Sequence, residues 1–499
     1  MATAVQQLVN GVHFLAPELI LVVTVCVMFI TAPFFVSEAG VAAPGLRKRW
    51  GALALVAIGC AAFFWWTGDA SRPLDTGPFR SDALTWYVRG LTLALGAIIS
   101  IILVDQVDDG NSAESQACLL AILVGVNLTA LANDLVVLFL ALELVSIPTY
   151  VLLYLPRRGE ANQEAAIKYM LLSVFSSAIV LYGMSMLYGV AGTTNLAGIA
   201  QTFDATDQQN SATLVRMSIA LLVAGLAFRI GAVPFHFYAP DVFQGVSASV
   251  AAILSYVPKV VGFAALLRLL PLLGGLGGAD AVDGPSARVL LAALAIATMT
   301  IGNLLALRQQ NLYRLMAYSS VAHAGYMLIG LVVESTAEVS GVGALLFYLA
   351  TYGLITIGVF ALLAGVSHGP KQVRTIADLA GLSRTYPAVA LALAVCLFSL
   401  TGLPPTVGML GKLNLFFASW TDGTMLGRWL AVILAVNAAI SAWYYLRLIG
   451  AMFFEPAPAG EPSRVSLAPA TAGALCAIAS VLLFIAPQEL WEAAVRFVP

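Results

Sequence analysis

The chain has 499 residues, of which 60% are hydrophobic and 50 are charged (24 Lys and Arg, 26 Asp and Glu), and its formal net charge is −2. Soluble globular domains contain about 25% charged residues, so a charged fraction of 10% excludes a water-soluble enzyme. The near-neutral charge, with no basic run longer than Arg47-Lys48-Arg49, argues against a nucleic-acid partner.

Apolar runs separated by polar breaks predict about fourteen transmembrane helices, since a bilayer-spanning helix needs about 20 mostly apolar residues. Such runs also exclude an outer-membrane barrel, whose strands alternate apolar and polar residues. The short loops predict an all-α polytopic protein, a single integral membrane domain over residues 1–499. The predicted spans are 15–36, 50–67, 83–104, 116–132, 134–155, 165–190, 213–239, 246–272, 287–306, 312–333, 341–366, 387–419, 427–454 and 467–486.

Loop charges predict the orientation, because cytoplasmic loops are enriched in Lys and Arg. The even-numbered loops contain three such residues, Arg72, Arg80 and Arg428, and both termini are therefore expected on the extracytoplasmic side. The Ala- and Gly-rich composition, without a recognisable targeting segment, favours a bacterial plasma membrane. The odd-numbered loops contain ten: Arg47, Lys48, Arg49, Arg157, Arg158, Arg308, Lys371, Arg374, Arg384 and Arg464.

Five charged residues are expected within the spans. A charge at the bilayer centre costs about 2.5–3.5 kcal/mol on insertion-based scales, and such residues persist where they pair or line a hydrated cavity. Singly, each is also consistent with a helix-packing ion pair or a snorkelling side chain, but one acid and four bases together favour an ion path. The five are Glu143, Lys168, Arg229, Lys259 and Lys412.

Other charges near the span ends have simpler interpretations. Glu18, near the start of the first span, is expected at the membrane interface. Arg89, Arg268 and Arg447 are expected to snorkel, since a long side chain can reach the headgroups while its stem stays in the apolar region.

Two spans contain prolines that should interrupt the helix, at residues 229–240 and 401–408. A proline removes a helix hydrogen bond and frees a carbonyl, and unwound backbone is tolerated in a membrane only where protein or water satisfies it. Charges beside such breaks are typical of ion transporters with broken helices, and simple proline kinks are the alternative.

The two breaks are about 170 residues apart, and residues 145–153 resemble 321–329 in their apolar rhythm. An odd number of helices in each unit would give the two units opposite orientations. The sequence therefore predicts two inverted five-helix repeats, each with a broken helix. The expected organisation is a three-helix segment at 15–115, a first repeat at 116–272, a second at 287–454 and a last helix at 467–486.

Six segments point to a known family. The most specific is Pro234-Phe235-His236, followed by Pro240-Asp241-Val242 and Gln244-Gly245. The chain resembles the antiporter-like subunits of respiratory complex I, most closely subunit N of bacterial NADH:quinone oxidoreductase, through segments 142–150, 166–171, 228–245, 257–260, 318–326 and 400–412.

The resemblance implies a non-redox subunit of a proton-pumping enzyme. FMN, iron–sulfur clusters and quinone would belong to partner subunits, with no cofactor in this chain, and subunits K and M would be its direct membrane-arm partners. By the same resemblance, Glu143 and Lys168 would form the family's ion pair. Lys259 would be its central lysine, and Lys412 the residue beside the second broken helix.

Arg229 departs from the family, which usually has lysine at this position. Arginine stays protonated in proteins, so we expect Arg229 to act as a fixed charge that tunes Lys168 and Lys259. His236 or water would carry protons nearby. His236 and His323 are candidate relays, since imidazole titrates near pH 6.5, or else neutral polar residues hydrogen-bonded between helices.

The first interpretation is the proton-translocating subunit that the resemblance implies, and three others remain open. The second is a subunit of a cation/proton antiporter, in which the same charges would couple Na⁺ to H⁺. The third is a subunit of a membrane-bound hydrogenase or another dehydrogenase that uses the same membrane module. The fourth, a purely structural membrane scaffold, is disfavoured by the five charges within the spans.

Overall fold

The computed structural model describes residues 14–35, 42–68, 74–155, 159–205, 208–273, 284–333, 340–368, 371–457 and 463–496. The described chain is mostly α-helical, with short strands confined to the loops. Up to the first break the elements are α1 Ala16–Thr31, α2 Leu46–Thr67, β1 Leu74–Thr76, β2 Phe79–Ser81, α3 Ala83–Gln106, α4 Ser112–Leu131, α5 Leu135–Tyr154, α6 Glu160–Ala191, α7 Leu196–Ala205 and α8 Gln208–Ile230.

Beyond the first break the chain continues with the same architecture. The elements are α9 Ala239–Gly245, α10 Ala248–Leu269, α11 Gly284–Leu307, α12 Leu312–Val332, α13 Gly341–Gly365, β3 Val366–His368, β4 Lys371–Gln372, α14 Leu382–Thr385, α15 Pro387–Thr401, α16 Val407–Thr421, α17 Met425–Phe454, β5 Ser463–Val465, α18 Leu467–Ile485 and α19 Gln488–Val495. Among the described residues, thirteen helical segments are long and apolar enough to cross a membrane, and Pro387–Thr401 is a shorter apolar helix.

Both predicted breaks are present. In the first, α8 ends at Ile230, Gly231 follows with φ 74°, and a 3₁₀ turn at Phe235–Tyr238 leads into α9. In the second, α15 ends at Thr401 and Gly402 has φ 90°, so the predicted span 387–419 is two helices, α15 and α16. A residue with a side chain is strained at such φ values, which explains glycine at the end of each first half.

The most deeply buried helices are α10, α12 and α13, where more than nine-tenths of the apolar span is inside the protein. Helices α1, α2, α6, α17 and α18 lie at the periphery and keep much of their apolar surface exposed. Helix α13 contacts α10 on one side and α12, α16 and α18 on the others. Side chains on α10 and α12 are therefore shielded from lipid by the outer helices.

The loops fall into two groups, which occupy opposite ends of the bundle. The odd-numbered loops pair with one another, as β3 pairs with β5 and Asn311 bridges to Thr375. The even-numbered loops do the same, as Phe79 bridges to Ala132 and Asp134 to Asn195. Three of the loop charges used to predict orientation, Arg72, Arg157 and Arg158, lie outside the described residues.

Two of the arginines expected to snorkel instead form ion pairs inside the protein. Arg89 donates through Nε and Nη2 to Glu18, at 2.8 and 2.7 Å, and both side chains are buried. Arg268, in the last turn of α10, donates from Nη1 to Asp82 at 2.6 Å and from Nε to the Ala130 carbonyl at 2.7 Å. The snorkelling predicted for Arg89 and Arg268 is therefore wrong, because each guanidinium is buried beside a carboxylate of a neighbouring segment, and Glu18 is buried as the partner of Arg89.

Candidate functional site

Glu143 and Arg229 meet beside the first broken helix. Glu143 Oε1 lies 3.0 Å from Arg229 Nη2. The guanidinium also donates from Nη1 to Ser146 Oγ at 2.7 Å and to the Leu142 carbonyl at 3.2 Å. Ser177 of α6 donates to Glu143 and accepts from Arg229 Nη2 at 2.9 Å. Charge-assisted hydrogen bonds, which are stronger than neutral ones, thus tie α5, α6 and α8 together.

The ion pair expected between Glu143 and Lys168 is absent. Lys168 Nζ instead lies 2.6 Å from Glu164 Oε1 and 3.0 Å from Asp241 Oδ2. The separation has a simple cause: Ser177, which contacts Glu143, is nine residues further along α6 than Lys168, a rise of about 13 Å. The Lys168 side chain is also 40% exposed. The sequence predicted that this charge lies inside the membrane span, but in the structure it remains in contact with solvent.

Lys168 belongs to a charged cluster at the end of the bundle formed by the odd-numbered loops. Asp241 of α9 accepts from Lys168 and from Arg314 Nη1, the latter at 2.6 Å. Arg314 also donates to Gln244 Oε1, and Arg374 donates to the Gln244 carbonyl. This cluster borders an open cleft of about 610 Å³.

A small internal cavity lies between Arg229 and Lys259. It measures about 20 Å³ and is lined by Arg229, Lys259, Tyr169 and Tyr238, among others. A polar cavity of about 10–15 Å³ is enough for one water molecule. Tyr238 is fixed beside it, since its ring stacks on Phe228 at 4.5 Å and its hydroxyl donates to the Phe228 carbonyl.

Lys259 projects from the middle of α10 and is buried. Its Nζ donates to the Ser255 carbonyl at 3.2 Å and to Ser320 Oγ on α12. It also lies 5.5 Å from the centre of the Tyr352 ring, within the range of a cation–π interaction. All of these partners are uncharged, so any change in the nearby charges acts strongly on Lys259.

His323 lies one helical turn beyond Ser320 on α12 and is surrounded by tyrosines. Its Nδ1 is 2.7 Å from the Tyr348 hydroxyl, and its Nε2 is 3.1 Å from the Tyr445 hydroxyl. Its ring also contacts the rings of Tyr352 and Tyr326, with centroids 4.9 and 5.5 Å away. Because both ring nitrogens have hydroxyl partners, this imidazole can take a proton on one side and give one on the other.

Lys412 caps the second broken helix. Its Nζ donates to the carbonyls of Leu400 and Thr401, at 2.8 and 2.7 Å, which are the last residues of α15. These carbonyls have no partner within the helix because α15 ends there. Lys412 also lies 5.3 Å from the centre of the Tyr326 ring, which contacts His323.

The structure thus brings together five of the seven predicted site residues in a row. Arg229 and Lys259 share the internal cavity, Lys259 and His323 both contact Tyr352, and His323 and Lys412 both contact Tyr326. Glu143 extends the row at its Arg229 end.

Two predicted residues lie outside this row, and several unpredicted ones lie within it. Lys168 belongs to the surface cluster, and His236 is half-buried in the 3₁₀ turn, seven residues after Arg229.

Within the described ranges, no three His, Cys, Asp or Glu side chains are grouped so as to hold a metal ion. The residues that sequence reasoning missed are Ser146, Ser177, Ser320, Tyr326, Tyr348, Tyr352 and Tyr445. Their hydroxyl groups are common in transmembrane helices, so only their contacts single them out.

Comparisons with known proteins agree with this architecture. Residues 132–441 match the family described as NADH:quinone oxidoreductase/Mrp antiporter, TM. The chain is 37% identical over 449 residues to NADH-quinone oxidoreductase subunit N of Trichlorobacter lovleyi, covering 89% of this chain and 88% of that protein. It matches a chain of respiratory complex I from Thermus thermophilus, solved with bound aureothin, with a TM-score of 0.78 and 29% identity over 96% of this chain and 99% of that one.

A further solved structure shares the fold alone. A chain of the Mrp complex from a Dietzia species matches with a TM-score of 0.78 and 21% identity, covering 96% of each chain. At this identity the likeness extends to the arrangement of helices and carries nothing about the ion that is moved.

Proposed function

The chain belongs to the NADH:quinone oxidoreductase/Mrp antiporter transmembrane family, and we propose that it moves protons across the membrane as the N subunit of a bacterial NADH:quinone oxidoreductase. In this proposal the chain is a non-redox part of a translocase. FMN, iron–sulfur clusters and quinone are held by partner subunits, and the energy of electron transfer reaches this chain through its contacts in the membrane arm.

The observation that carries the proposal is the row of polar groups from the partly exposed Glu143 to the buried Lys412. Lys259, His323 and Lys412 are all buried. Lys259 and His323 contact the same tyrosine ring, that of Tyr352, and His323 and Lys412 both contact the ring of Tyr326. Charged and titratable groups are costly inside a membrane protein, and where they occur they typically mark ion pathways and proton relays. Lysine and imidazole both bind and release protons, so the row is suited to H⁺.

Coupling follows from the position of the Glu143–Arg229 pair. The two lysines have uncharged partners, so the nearest fixed charges decide how readily each one stays protonated. Separating Glu143 from Arg229 would expose Lys259, across the internal cavity, to an uncompensated guanidinium and would favour proton release. A neighbouring subunit that binds one arrangement of the pair more tightly would shift the population between the two states.

The same proposal includes the setting of the chain. Subunits K and M are its direct neighbours in the membrane arm, and the membrane is the bacterial plasma membrane. Both termini lie on the extracytoplasmic side. The excess of Lys and Arg in the odd-numbered loops supports this orientation, and the pairing of these loops with one another means that their charges lie at the same end of the bundle.

The test is proton pumping by the whole enzyme in inverted membrane vesicles, with NADH oxidation measured in parallel. We expect Lys259→Ala to lower the H⁺ translocated per NADH while the assembled complex retains NADH oxidation. The matched control is Lys48→Ala, which removes an exposed lysine outside the row. Full translocation by the Lys259→Ala enzyme would overturn the proposal, and Na⁺-dependent transport by the chain without NADH oxidation would favour a cation/proton antiporter.

A further inference from the structure

We propose that a stripe of hydroxyl groups between α5 and α6 carries protons between Lys259 and Glu143, past Arg229. The stripe consists of Tyr150, Tyr169, Ser173 and Ser177, and this inference rests on the function proposed above. It assigns the connecting step to neutral hydroxyl side chains of this chain.

The need for such a step comes from Arg229. Its guanidinium lies between Glu143 and the internal cavity, bonded to the first and lining the second. An arginine side chain keeps its proton in proteins. It therefore cannot pass a proton from Lys259 to Glu143, although a lysine at the same position could.

The stripe is built on successive turns of α6. Tyr169, Ser173 and Ser177 are spaced four residues apart, which places them on one face of the helix. All three are buried, and this face packs against α5. At one end Ser177 donates to Glu143, and at the other end Tyr169 lines the cavity that also contains Lys259.

Tyr150 of α5 completes the stripe. Its ring contacts the Tyr169 ring edge-on, with centroids 5.8 Å apart. Its buried hydroxyl lies beside the hydroxyls of Ser146 and Ser173 and forms no hydrogen bond of good geometry within the described part of the chain. A buried hydroxyl without a settled partner is costly in a static protein, and it is free to turn from one neighbour to the next.

The transfer balances without any redox partner. The Lys259 ammonium gives up one proton and becomes an amine, and the Glu143 carboxylate takes one up and becomes a carboxylic acid. Between them, each hydroxyl of the stripe accepts a proton on an oxygen lone pair and releases the proton that it held. Water carries the proton across the cavity and between hydroxyls one helical turn apart, since a rise of about 6 Å is too long for a direct hydrogen bond. Every hydroxyl ends neutral, and Arg229 keeps its charge throughout.

The test compares two backgrounds in the whole enzyme. In the natural background, Tyr169→Phe keeps the ring but removes the hydroxyl, and Ser173→Ala removes the next one. Groups that transfer a proton typically speed their step by about 10²–10⁴, so we expect H⁺ translocation to fall by about tenfold or more. The matched control is Tyr182→Phe, an exposed tyrosine of the same helix, which should leave translocation unchanged.

The second background contains Arg229→Lys, whose ammonium can bind and release a proton itself. Relative to Arg229→Lys alone, adding Tyr169→Phe should then cause less than a twofold fall, since the stripe is no longer the sole route. A merely structural role for Tyr169 predicts the same fall in both backgrounds, and that result would overturn the inference.

Full translocation by Tyr169→Phe with Ser173→Ala in the natural background would also overturn it. The same vesicles distinguish this failure from a failure of the proposed function. If Lys259→Ala lowers translocation and the hydroxyl variants do not, only the stripe is wrong. If Lys259→Ala has no effect, the proposed function itself fails.

Discussion

Glu143 and Arg229, 86 residues apart in the chain, form an ion pair in which Oε1 and Nη2 are 3.0 Å apart. The guanidinium side is buried, at 7% exposure, while the carboxylate side is 22% exposed. The pair therefore has one partner fixed inside the protein and one near its outer surface. A neighbouring subunit could reach the carboxylate without entering the helix bundle.

Arg229→Gln should disrupt this pair more than Arg229→Lys. Removing one member of a buried ion pair leaves the other charge uncompensated, at a cost of about 3–5 kcal/mol when both are fully buried. Because Glu143 is partly exposed, we expect about 2 kcal/mol, seen as less assembled complex, together with loss of proton pumping. Arg229→Lys keeps the charge and should retain most of the pumping. Equal pumping by Arg229→Gln and Arg229→Lys would contradict a need for charge at this position.

Much of this arrangement follows from the sequence. The spans, the two broken helices and the burial of Lys259 and Lys412 were predicted from apolar length, proline position and the cost of charge in lipid. The partner of Glu143 was not predictable in this way. Lys168 and Arg229 are both cations in neighbouring spans, and the choice depends on how far along each helix the side chain lies when the helices pack. Packing of this kind leaves no periodic signal in one sequence.

Lys168→Ala should affect pumping less than Lys259→Ala does. Lys168 is exposed in the surface cleft, and Asp241 keeps Arg314 as a partner when Lys168 is removed. Ion pairs between exposed side chains contribute about 0–1 kcal/mol. We expect near-normal translocation per NADH in vesicles, and a loss as large as that of Lys259→Ala would return Lys168 to the proton path.

Lys412→Met should weaken the second broken helix as well as stop translocation. The substitution keeps the length of the side chain but leaves the Leu400 and Thr401 carbonyls without their donor. Hydrogen bonds to a charged group are worth about 1.5–3 kcal/mol each. We expect a lower unfolding temperature of the detergent-solubilised complex than for Lys48→Met, which removes an exposed lysine. Equal unfolding temperatures would mean that the carbonyls find other donors.

Asp82→Asn should destabilise the protein by the same amount at every pH from 8 to about 5. Burial acts to raise the pKa of the Asp82 carboxyl, but the hydrogen bond and charge of Arg268 outweigh it and hold the pKa below 3.8. A carboxyl with a lowered pKa contributes stability at all pH values above its unfolded pKa and loses it as pH falls through the folded value.

The measurement is the difference in unfolding temperature between the natural enzyme and Asp82→Asn. It should stay constant from pH 8 to about 5 and narrow only below about 4. A difference that shrinks between pH 8 and 6 would show that Asp82 takes up a proton far more readily than its contact with Arg268 allows.

Gly408→Ala should prevent the two halves of the second broken helix from packing, whereas Gly450→Ala should be tolerated. A Cβ at residue 408 of α16 would collide with the Ser399 carbonyl oxygen of α15. Backbone atoms of two helices cannot move aside as a flexible side chain would.

The control position is open, since a Cβ at residue 450 of α17 has no atom within 4 Å. Alanine also favours a helix over glycine by about 1 kcal/mol, so Gly450→Ala should be neutral or slightly stabilising. We expect assembled complex from Gly450→Ala and little from Gly408→Ala, and equal assembly of both would mean that α15 and α16 can separate without loss of the fold.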